Sequence, residues 1–320
     1  MDLEQLIVKD KDFLKSMDEV IHPFIKDKFC QGHFTTPDGL KINYEYGLNP
    51  DAKGNIVISH GYCEFITKYY EIMYYLYNMG YSVFMVDHRG HGLSDRQVDG
   101  YSMVYVKNFN DYVKDFNQFI NEVVLPNSSG KELILYAHSM GGAVGIRYLE
   151  TYPDVFKRAV LNSPMIAMNL DNTPAAAIKA VTIGSLLPGV GKKYTPGQIE
   201  YNGEYKYPKC STISEERYKY QYAEREREPH YQSNGASMSW SREAFNISKK
   251  ILKNAPKVQI PVILCQAGRD TLVALEPQNE FVRLCQSVKL VRFEESKHEI
   301  FNATDEIIME YWKTIYEFLG

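Results

Sequence analysis

Apolar residues along the chain fall into short continuous runs that alternate with stretches of helical spacing. The runs lie at residues 56–59, 82–86, 133–136, 159–162, 261–265 and 288–293. Such runs are typical of strands that are buried on both faces of a sheet. Between them, apolar residues recur every three or four positions at 67–79, 108–124, 143–149, 277–285 and 305–319. The alternation predicts a mostly parallel central sheet with helices on both of its faces.

The N-terminal part of the chain follows a different pattern. Apolar residues at mixed three- and four-residue steps over residues 3–28 predict a broken amphipathic helix that ends near Pro23 and packs on the body of the protein. After it, the turn residues Thr35-Thr36-Pro37-Asp38-Gly39 precede a stretch of alternating character. Residues 34–46 are therefore expected to form a hairpin of two edge strands.

The alternation of strands and helices is lost between about residues 165 and 254. Residues 174–188 are apolar and helix-like, whereas residues 194–231 are rich in tyrosine, lysine, glutamate and arginine. We therefore expect a core formed by residues 1–165 and 255–320, interrupted by an inserted, mainly helical cap or lid of residues 166–254. The apolar stretch of the cap either lines a tunnel for an acyl chain, rests on a lipid surface, or packs as the central helix of the cap.

Bulk composition describes an ordinary globular protein. Hydrophobic residues make up 44% of the 320 positions and charged residues 24%, and the net charge is −4. The basic residues are scattered, so the chain has no general electrostatic attraction for nucleic acid, and we expect no nucleic-acid partner. The composition leaves the oligomeric state open.

Cysteine usage and the N-terminus point to a reducing compartment. The five cysteines are an odd number without C-x-x-C spacing, which argues for free thiols and against a disulfide framework or a zinc site. The N-terminus lacks the basic start and continuous apolar core of a secretory signal, and no apolar run approaches the roughly 20 residues of a membrane-spanning helix. We expect a cytoplasmic protein, and peripheral contact with a membrane through the cap remains open.

A candidate nucleophile lies at a strand-to-helix junction. Ser139 follows the apolar run at 133–136 and precedes the helical stretch at 143–149. The residues Ala137-His138-Ser139-Met140-Gly141 fit the nucleophile elbow G-x-S-x-G, with alanine in place of the first glycine. Small residues are needed at both ends because strand and helix pass close together at the turn. This placement predicts an exposed serine hydroxyl above the sheet.

A serine nucleophile needs a general base and a carboxylate that orients the base. Asp270 and His298 each follow a predicted buried strand by five residues, and the carboxyl ends of parallel strands share one edge of a sheet. The order Ser139, Asp270, His298 is the one expected for an α/β-hydrolase triad. The alternatives are a turn role for Asp270 and a solvated loop position for His298.

The oxyanion of an acyl-transfer reaction needs two aligned hydrogen-bond donors. The Met140 N–H lies free at a helix N-terminus, and the Tyr62 N–H is the second candidate because Gly61 permits the turn that would point it inward. Cys63 is either a thiol near the mouth of the pocket or a small buried hydrophobe. His138 is interpreted as a spacer beside the serine. The remaining loop histidines, His60, His88 and His91, are interpreted as structural groups that bind loop backbone.

Several motifs together resemble one family. They are His60-Gly61-x-x-Glu64, Asp87-His88-Arg89-Gly90-His91-Gly92-x-Ser94, Ala137-His138-Ser139-Met140-Gly141-Gly142, Ala267-Gly268-x-Asp270 and Lys297-His298. Over about residues 30–165 and 258–318 the chain resembles the serine aminopeptidase S33-like α/β-hydrolases, which include monoacylglycerol lipases and bacterial lysophospholipases. Residues 108–112 and the alanine at the elbow resemble the bacterial lysophospholipase branch most.

The resemblance implies an α/β-hydrolase fold with Ser139 as nucleophile, His298 as base and Asp270 as its orienting group. It also implies an oxyanion hole formed by the Tyr62 and Met140 amides, with Glu64 bracing the oxyanion loop behind His60 and Gly61. This chain departs from the family at Ala137, where glycine is usual, and at Tyr62, where related lipases often have a small residue. The second departure bears on the size of the acyl channel.

The leading functional hypothesis is hydrolysis of the carboxylic ester of a single-chain lipid, a lysophospholipid or a monoacylglycerol, through an acyl-enzyme intermediate. Three alternatives stay open: a carboxylesterase or amidase for small or aromatic acyl groups, a lyase or haloperoxidase that uses the same triad, and a non-catalytic relative that binds a ligand. No metal or other cofactor is expected, because the sequence has neither H-x-x-x-H nor H-E-x-x-H spacing and no G-x-G-x-x-G after a strand.

Overall fold

The computed structural model describes residues 2–320. Its ten strands are β1 (Phe29–Thr35), β2 (Lys41–Gly47), β3 (Gly54–Ser59), β4 (Tyr81–Val86), β5 (Met103–Val104), β6 (Leu133–His138), β7 (Phe156–Asn162), β8 (Gly235–Ala236), β9 (Val262–Ala267) and β10 (Val288–Phe293). Eight of them form one sheet in the order β1-β2-β4-β3-β6-β7-β9-β10, and β5 and β8 pair separately. From β4 to β10 every pairing in the large sheet is parallel, while β2 runs antiparallel to both of its neighbours.

Twelve α-helices accompany the strands within the described residues. They are α1 (Leu3–Leu6), α2 (Phe13–Ser16), α3 (His22–Lys28), α4 (Tyr70–Asn78), α5 (Asn110–Phe119), α6 (Leu125–Asn127), α7 (Met140–Thr151), α8 (Ala175–Gly184), α9 (Glu215–Arg227), α10 (Met238–Asn254), α11 (Leu275–Leu284) and α12 (Asp305–Leu319). None of them is long and apolar enough to cross a lipid bilayer.

Both faces of the sheet are buried, as the continuous apolar runs predict. On β3, Val57 belongs to one core, while Ile56 and Ile58 belong to the other, because successive side chains of a strand point to opposite faces. The first core contains buried residues of α5, α7 and α10, and the second contains residues of α4, α12 and the N-terminal helices. The prediction of an α/β-hydrolase fold, with a mostly parallel sheet between two helical layers, is confirmed.

Two predictions near the N-terminus are wrong in part. The hairpin begins at Phe29 and not at Phe34, and only β1 is an edge strand because β2 also pairs with β4. The helix does not end near Pro23. It continues to Lys28, and the turns from Met17 to Ile21 are π-helical. A proline lacks the N–H of the helical ladder and crowds the preceding turn, and the wider π-helical turns accommodate it.

The segment 166–254 contributes α8, α9, α10 and the short strand β8. Serine caps start two of these helices: the Ser214 hydroxyl accepts from the Arg217 N–H (3.0 Å), and the Ser237 hydroxyl accepts from the Trp240 N–H (3.2 Å). Helix α8 buries one of its residues, Val181. It is therefore not the packed central helix of this segment.

Helix α9 is attached to the core through a buried arginine. The Arg217 guanidinium donates to both carboxylate oxygens of Glu71 (3.0 and 2.6 Å), to Asp10 (3.2 Å) and to the Val8 carbonyl (3.1 Å). Its side chain is 1% exposed and lies over the ring of Phe13, with 4.5 Å between the guanidinium carbon and the ring centroid. The N-terminal residues thus hold α9 against α4.

Candidate active site

Ser139 lies in the turn between β6 and α7, at the carboxyl edge of the sheet. Its backbone has a φ of 51° and a ψ of −119°, a conformation that residues other than glycine rarely adopt. Hydrogen bonds hold this backbone in place. The Ser139 N–H donates to the Asn162 carbonyl (3.0 Å), and the Ser139 carbonyl accepts from the Ala143 and Met165 amides (3.2 and 2.8 Å). The strained turn presents the serine side chain to a large cavity.

Close packing explains the small residues around Ser139. A β-carbon at Gly141 would lie 2.2 Å from the Ser59 carbonyl oxygen, so a larger residue would force the backbone apart. Ala137 stands where the elbow motif has glycine. Helix α7 passes β6 at Gly145, where an added β-carbon would lie 2.7 Å from Leu135 Cδ2 and 3.4 Å from the Ala137 β-carbon. The missing side chain of Gly145 therefore leaves room for Leu135, while Ala137 is only in ordinary contact with this helix.

The fold brings Ser139, His298 and Asp270 together from three loops that follow β6, β10 and β9. The His298 Nε2 atom lies 2.8 Å from the Ser139 Oγ atom, and His298 Nδ1 lies 2.6 Å from Asp270 Oδ2. Because an ionised carboxylate only accepts hydrogen bonds, Nδ1 donates to Asp270 and Nε2 accepts from the serine hydroxyl. In this arrangement His298 can take the proton of Ser139, and Asp270 can stabilise the imidazolium that results.

The environment keeps Asp270 ionised. Burial would raise the pKa of this carboxyl group, but the hydrogen bond from His298 and those from the Val273 and Leu272 amides (3.1 and 2.8 Å) lower the pKa below its ordinary value. The two backbone donors bind Oδ1 and leave Oδ2 to His298. Asp270 is thus fixed in orientation as well as in charge.

The loop after β3 passes close to the serine. A β-carbon at Gly61 would lie 3.0 Å from the Ser139 β-carbon. Within residues 2–320, neither the Tyr62 N–H nor the Met140 N–H donates to another protein group. Both predicted oxyanion donors are therefore unpaired beside the serine. Cys63 follows with a φ of 58°, and burial raises the pKa of its thiol to about 12, so the thiol stays protonated at the cavity wall.

Three histidines are packed behind this loop. The His60 Nδ1–H donates to the Gly61 carbonyl (2.8 Å), and His60 Nε2 accepts from the His88 N–H (2.9 Å). His88 Nε2 lies 2.9 Å from the Ser59 hydroxyl, and His91 Nδ1 lies 3.1 Å from the Arg89 carbonyl. Burial lowers the pKa of all three rings, which keeps them neutral. The His60 and His91 rings bind loop backbone, as predicted, whereas the His88 ring binds the Ser59 hydroxyl on β3 and not loop backbone. None of the three contacts Ser139 through the hydrogen bonds described.

A buried ion cluster of Glu64, Lys68 and Glu299 links the oxyanion loop to the His298 loop. The Lys68 ammonium lies 2.6 Å from a Glu64 oxygen and 2.9 Å from a Glu299 oxygen, and its side chain is 5% exposed. Glu64 also accepts from the Gly61 N–H (2.5 Å) and from the Tyr69 hydroxyl (2.6 Å). Glu64 therefore fixes the backbone of the residue before Tyr62.

The charges of this cluster depend on one another. Burial would raise the pKa of Glu64, but the adjacent Lys68 ammonium lowers it to about 2. The pKa of Glu299 is likewise lowered by Lys68 against the effect of burial, and the two carboxylates raise the pKa of Lys68 in spite of its burial. All three groups are ionised at neutral pH, and the two carboxylates depend on a single ammonium.

His138 has more contacts than the spacer that the sequence indicated. Its ring centroid lies 4.8 Å from that of His298, and its Nε2 atom lies 3.7 Å from a Glu64 oxygen. Burial lowers the pKa of His138 to about 4, so the ring is neutral at pH 7. A neutral ring beside His298 does not oppose protonation of His298 during proton transfer.

The cavity above Ser139 has a volume of about 1140 Å³ and two walls of different chemistry. One wall belongs to α8, α10 and neighbouring loops and is apolar: Met168, Ile178, Val181, Met238, Trp240 and Phe245. The other wall is polar. It belongs to α9 and the loop before it, with Gln198, Tyr201, Asn202, Tyr222 and Arg225, and to the loop after β10, with Glu299. The oxyanion loop lies between them, with the Tyr62 ring 4.3 Å from the Trp240 ring and the Cys63 carbonyl bound to Arg225 (2.5 Å). Such a cavity fits a molecule with one apolar and one polar end.

Sequence reasoning missed Lys68, Glu299 and Arg225. Lys68 lies four residues after Glu64, the spacing at which opposite charges meet along a helical turn, and Glu299 adjoins His298. Both signals were visible in the chain. Arg225 had no such signal because it lies in the charged stretch of α9. No cluster of three or more His, Cys, Asp or Glu side chains suited to a metal ion occurs in residues 2–320.

Comparisons with known proteins give the same family as the motifs. The family model for serine aminopeptidase, S33, matches residues 50–305. The probable lysophospholipase L2 of Haemophilus influenzae is 25% identical over 93% of this chain and 94% of its own length. Lysophospholipase L2 of Escherichia coli strain K12 is 29% identical over 79% of this chain and 74% of its own length.

The fold agrees with solved structures. The crystal structure of a monoacylglycerol lipase from Paleococcus ferrophilus superimposes with a TM-score of 0.67 at 22% identity and covers 91% of this chain and 98% of the other. The family model spans four-fifths of this chain, including the elbow, Asp270 and His298. The chain therefore belongs to the serine aminopeptidase S33 family of α/β-hydrolases, and it is an ester-hydrolysing enzyme.

Proposed function

We propose that the protein hydrolyses the carboxylic ester of a single-chain lipid, a lysophospholipid or a monoacylglycerol, with Ser139, His298 and Asp270 as its catalytic triad. The observation that carries the proposal is the continuous hydrogen-bonded chain from Asp270 through His298 to Ser139 at the floor of a cavity with one apolar and one polar wall. The curated relatives named lysophospholipase L2 support the substrate class.

In the proposed mechanism, the Ser139 oxygen attacks the ester carbonyl carbon while its proton moves to His298 Nε2. The carbonyl oxygen becomes an oxyanion that accepts hydrogen bonds from the Tyr62 and Met140 amides. Collapse of this intermediate breaks the ester bond, and His298 returns the proton to the departing alcohol. Water then attacks the acyl-enzyme with the same base, which releases the fatty acid and restores Ser139. Asp270 stays ionised throughout.

Acyl-chain length tests the substrate class. We expect kcat/KM on p-nitrophenyl esters to rise from acetate to at least about eight carbons, by up to about fourfold per methylene, because each methylene placed against the apolar wall contributes about 0.8 kcal/mol. The Val181→Trp variant narrows the cavity at this wall. It is therefore expected to reduce activity on long acyl chains while leaving acetate hydrolysis unchanged. A sharp optimum at acetate would contradict the proposal and favour a carboxylesterase for small acyl groups.

We further propose that the end of α8 rests on the surface of a membrane. Ile183, Leu186 and Leu187 are 55%, 69% and 59% exposed, and they adjoin the α8 residues Ile178 and Val181 that line the cavity. Large exposed apolar side chains beside the wall of a lipid site favour a lipid surface as the partner.

Membrane contact is tested by co-sedimentation with phosphatidylcholine vesicles. The double variant Leu186→Ser, Leu187→Ser is expected to lower vesicle binding by at least about tenfold, because each leucine withdrawn from lipid loses part of about 1.5–3 kcal/mol of burial. The matched control is Leu125→Ser, at a leucine that is 45% exposed on α6. Equal binding by all three proteins would exclude α8 as the contact.

A further inference from the structure

The polar wall of the cavity carries an arginine whose charge is not neutralised by a carboxylate. Arg225 is half-buried on α9 and lines the cavity together with Tyr201 and Tyr222. Within residues 2–320 its guanidinium donates one hydrogen bond, to the Cys63 carbonyl (2.5 Å), and forms no ion pair. Its other N–H groups remain available to a ligand in the cavity, because a guanidinium has five donors.

Two buried cations near Arg225 have carboxylate partners. Lys68, in the same cavity, lies between Glu64 and Glu299. Arg217, two turns earlier on α9, is bound by Glu71 and Asp10. Arg96 also forms no ion pair among the described residues, but it lies outside the cavity and donates to the Gly92 and His230 carbonyls. Within residues 2–320, Arg225 is thus a partly desolvated cation of this cavity without a carboxylate partner. A cation in this condition is a binding site for an anionic group of a ligand.

The position of Arg225 relative to the reacting atoms defines which group it would meet. It binds the carbonyl of Cys63, the residue that follows the proposed oxyanion donor Tyr62. Tyr62, Ser139 and Arg225 line the same cavity, so an ester held by Tyr62 and Ser139 has Arg225 on the polar side of that cavity. In a lysophospholipid a short glycerol backbone joins the ester to the phosphate. In a monoacylglycerol the same place holds an uncharged hydroxyl group.

We propose that Arg225 binds the phosphate of a lysophospholipid head group, with the acyl chain on the apolar wall, so that the enzyme prefers lysophospholipids to monoacylglycerols. This inference rests on the proposed function, and it makes Arg225 the residue that determines head-group specificity. The guanidinium matches phosphate because its planar donors can form paired hydrogen bonds to two phosphate oxygens.

The test compares kcat/KM for lysophosphatidylcholine and for the monoacylglycerol with the same acyl chain, both below their critical micelle concentrations. The wild type is expected to prefer the lysophospholipid. In Arg225→Gln, kcat/KM for the lysophospholipid is expected to fall about 10- to 100-fold, mainly through KM, because hydrogen bonds between charged partners are lost. Activity on the monoacylglycerol is expected to change less than about threefold. Arg225→Lys is expected to retain part of the preference.

Controls separate binding of the head group from support of the oxyanion loop. Arg227→Gln, two residues further along α9 at a side chain that is 71% exposed, is expected to match the wild type. An equal loss on both substrates in Arg225→Gln would mean that Arg225 only supports the Cys63 carbonyl, which overturns the inference. A wild type that prefers the monoacylglycerol also overturns it while the proposed function stands. A wild type that hydrolyses neither lipid contradicts the proposed function itself.

Discussion

The Ser139→Ala variant is expected to lose at least about 10⁴-fold in kcat/KM on any ester that the wild type hydrolyses, with its fold intact. The substitution removes the oxygen that would attack the carbonyl carbon, and no neighbouring group replaces it, because burial keeps the thiol of Cys63 protonated. Residual activity would come from the oxyanion donors and from substrate binding alone. The hydrogen bonds that hold the turn involve the backbone of Ser139 and survive the change.

The measurement combines ester kinetics with intact-mass spectrometry after treatment with a fluorophosphonate. One adduct is expected on the wild type, and none on Ser139→Ala or His298→Ala, because the serine is reactive only with its base. Ser287→Ala is a suitable control, since that hydroxyl binds the Val258 carbonyl and does not line the cavity. An adduct that persists in Ser139→Ala would identify a different nucleophile. A folded wild type without an adduct would contradict the assignment of an activated serine.

The largest loss of stability is expected from Lys68→Met. The substitution leaves the buried carboxylates of Glu64 and Glu299 without their shared cation. Removal of one partner from a buried ion cluster costs about 3–5 kcal/mol because the remaining charge stays desolvated. For a protein of this size the melting temperature should fall by at least about 5 °C. Lys219→Met, at an exposed lysine of α9, is the matched control and should leave the melting temperature nearly unchanged.

The pH dependence of this effect has a definite sign. In the wild type the pKa of Glu64 is lowered to about 2, so its contribution to stability is present above its ordinary pKa of 4.5 and is lost as the pH falls toward 2. Without Lys68, burial raises the pKa of both carboxyl groups, and the folded variant then gains stability as the pH falls. Protonation of His138, whose Nε2 atom lies beside Glu64, would likewise stabilise the folded variant as the pH falls.

Differential scanning calorimetry at pH 8, 7, 6 and 5 checks this sign. The difference in melting temperature between the wild type and Lys68→Met should narrow as the pH falls from 8 to 5. A constant difference would mean that Lys68 contributes through packing of its alkyl chain and not through charge.

The core of the fold was predictable because its strands are buried on both faces and its helices have one apolar face. The strand boundaries at residues 133–136 and 288–293 come close to those of β6 and β10, and α12 starts and ends where the pattern predicts. The relative positions of Ser139, Asp270 and His298 also followed from strand order alone. Parallel strands place the loops after β6, β9 and β10 at one edge, whatever the loops contain.

There is a physical reason why the polar wall could not be predicted from the sequence. Helix α9 buries Arg217, Tyr220 and Glu224, so its inward face carries polar side chains and its sequence lacks an apolar stripe. The partners of these groups lie far away in the chain, as Glu71 does for Arg217, and local patterns contain no information about them. The same limit applies to Arg225, because its proposed role depends on the residues that surround it in the cavity. The end of the N-terminal helix was predicted wrongly at Pro23, because the spacing of apolar residues does not reveal a π-helical turn before a proline.

The attachment of α9 by the N-terminal residues bears on how far the protein can be shortened without loss of its structure. The family model matches residues 50–305, which contain Arg217 and Glu71 but neither Asp10, nor Phe13, nor the Val8 carbonyl. A protein trimmed to those limits would keep a buried guanidinium and discard half of its surroundings, along with β1, β2 and nearly all of α12. The polar wall of the cavity therefore rests in part on residues 8–13, and a fragment that keeps α9 needs these N-terminal residues to keep α9 in place.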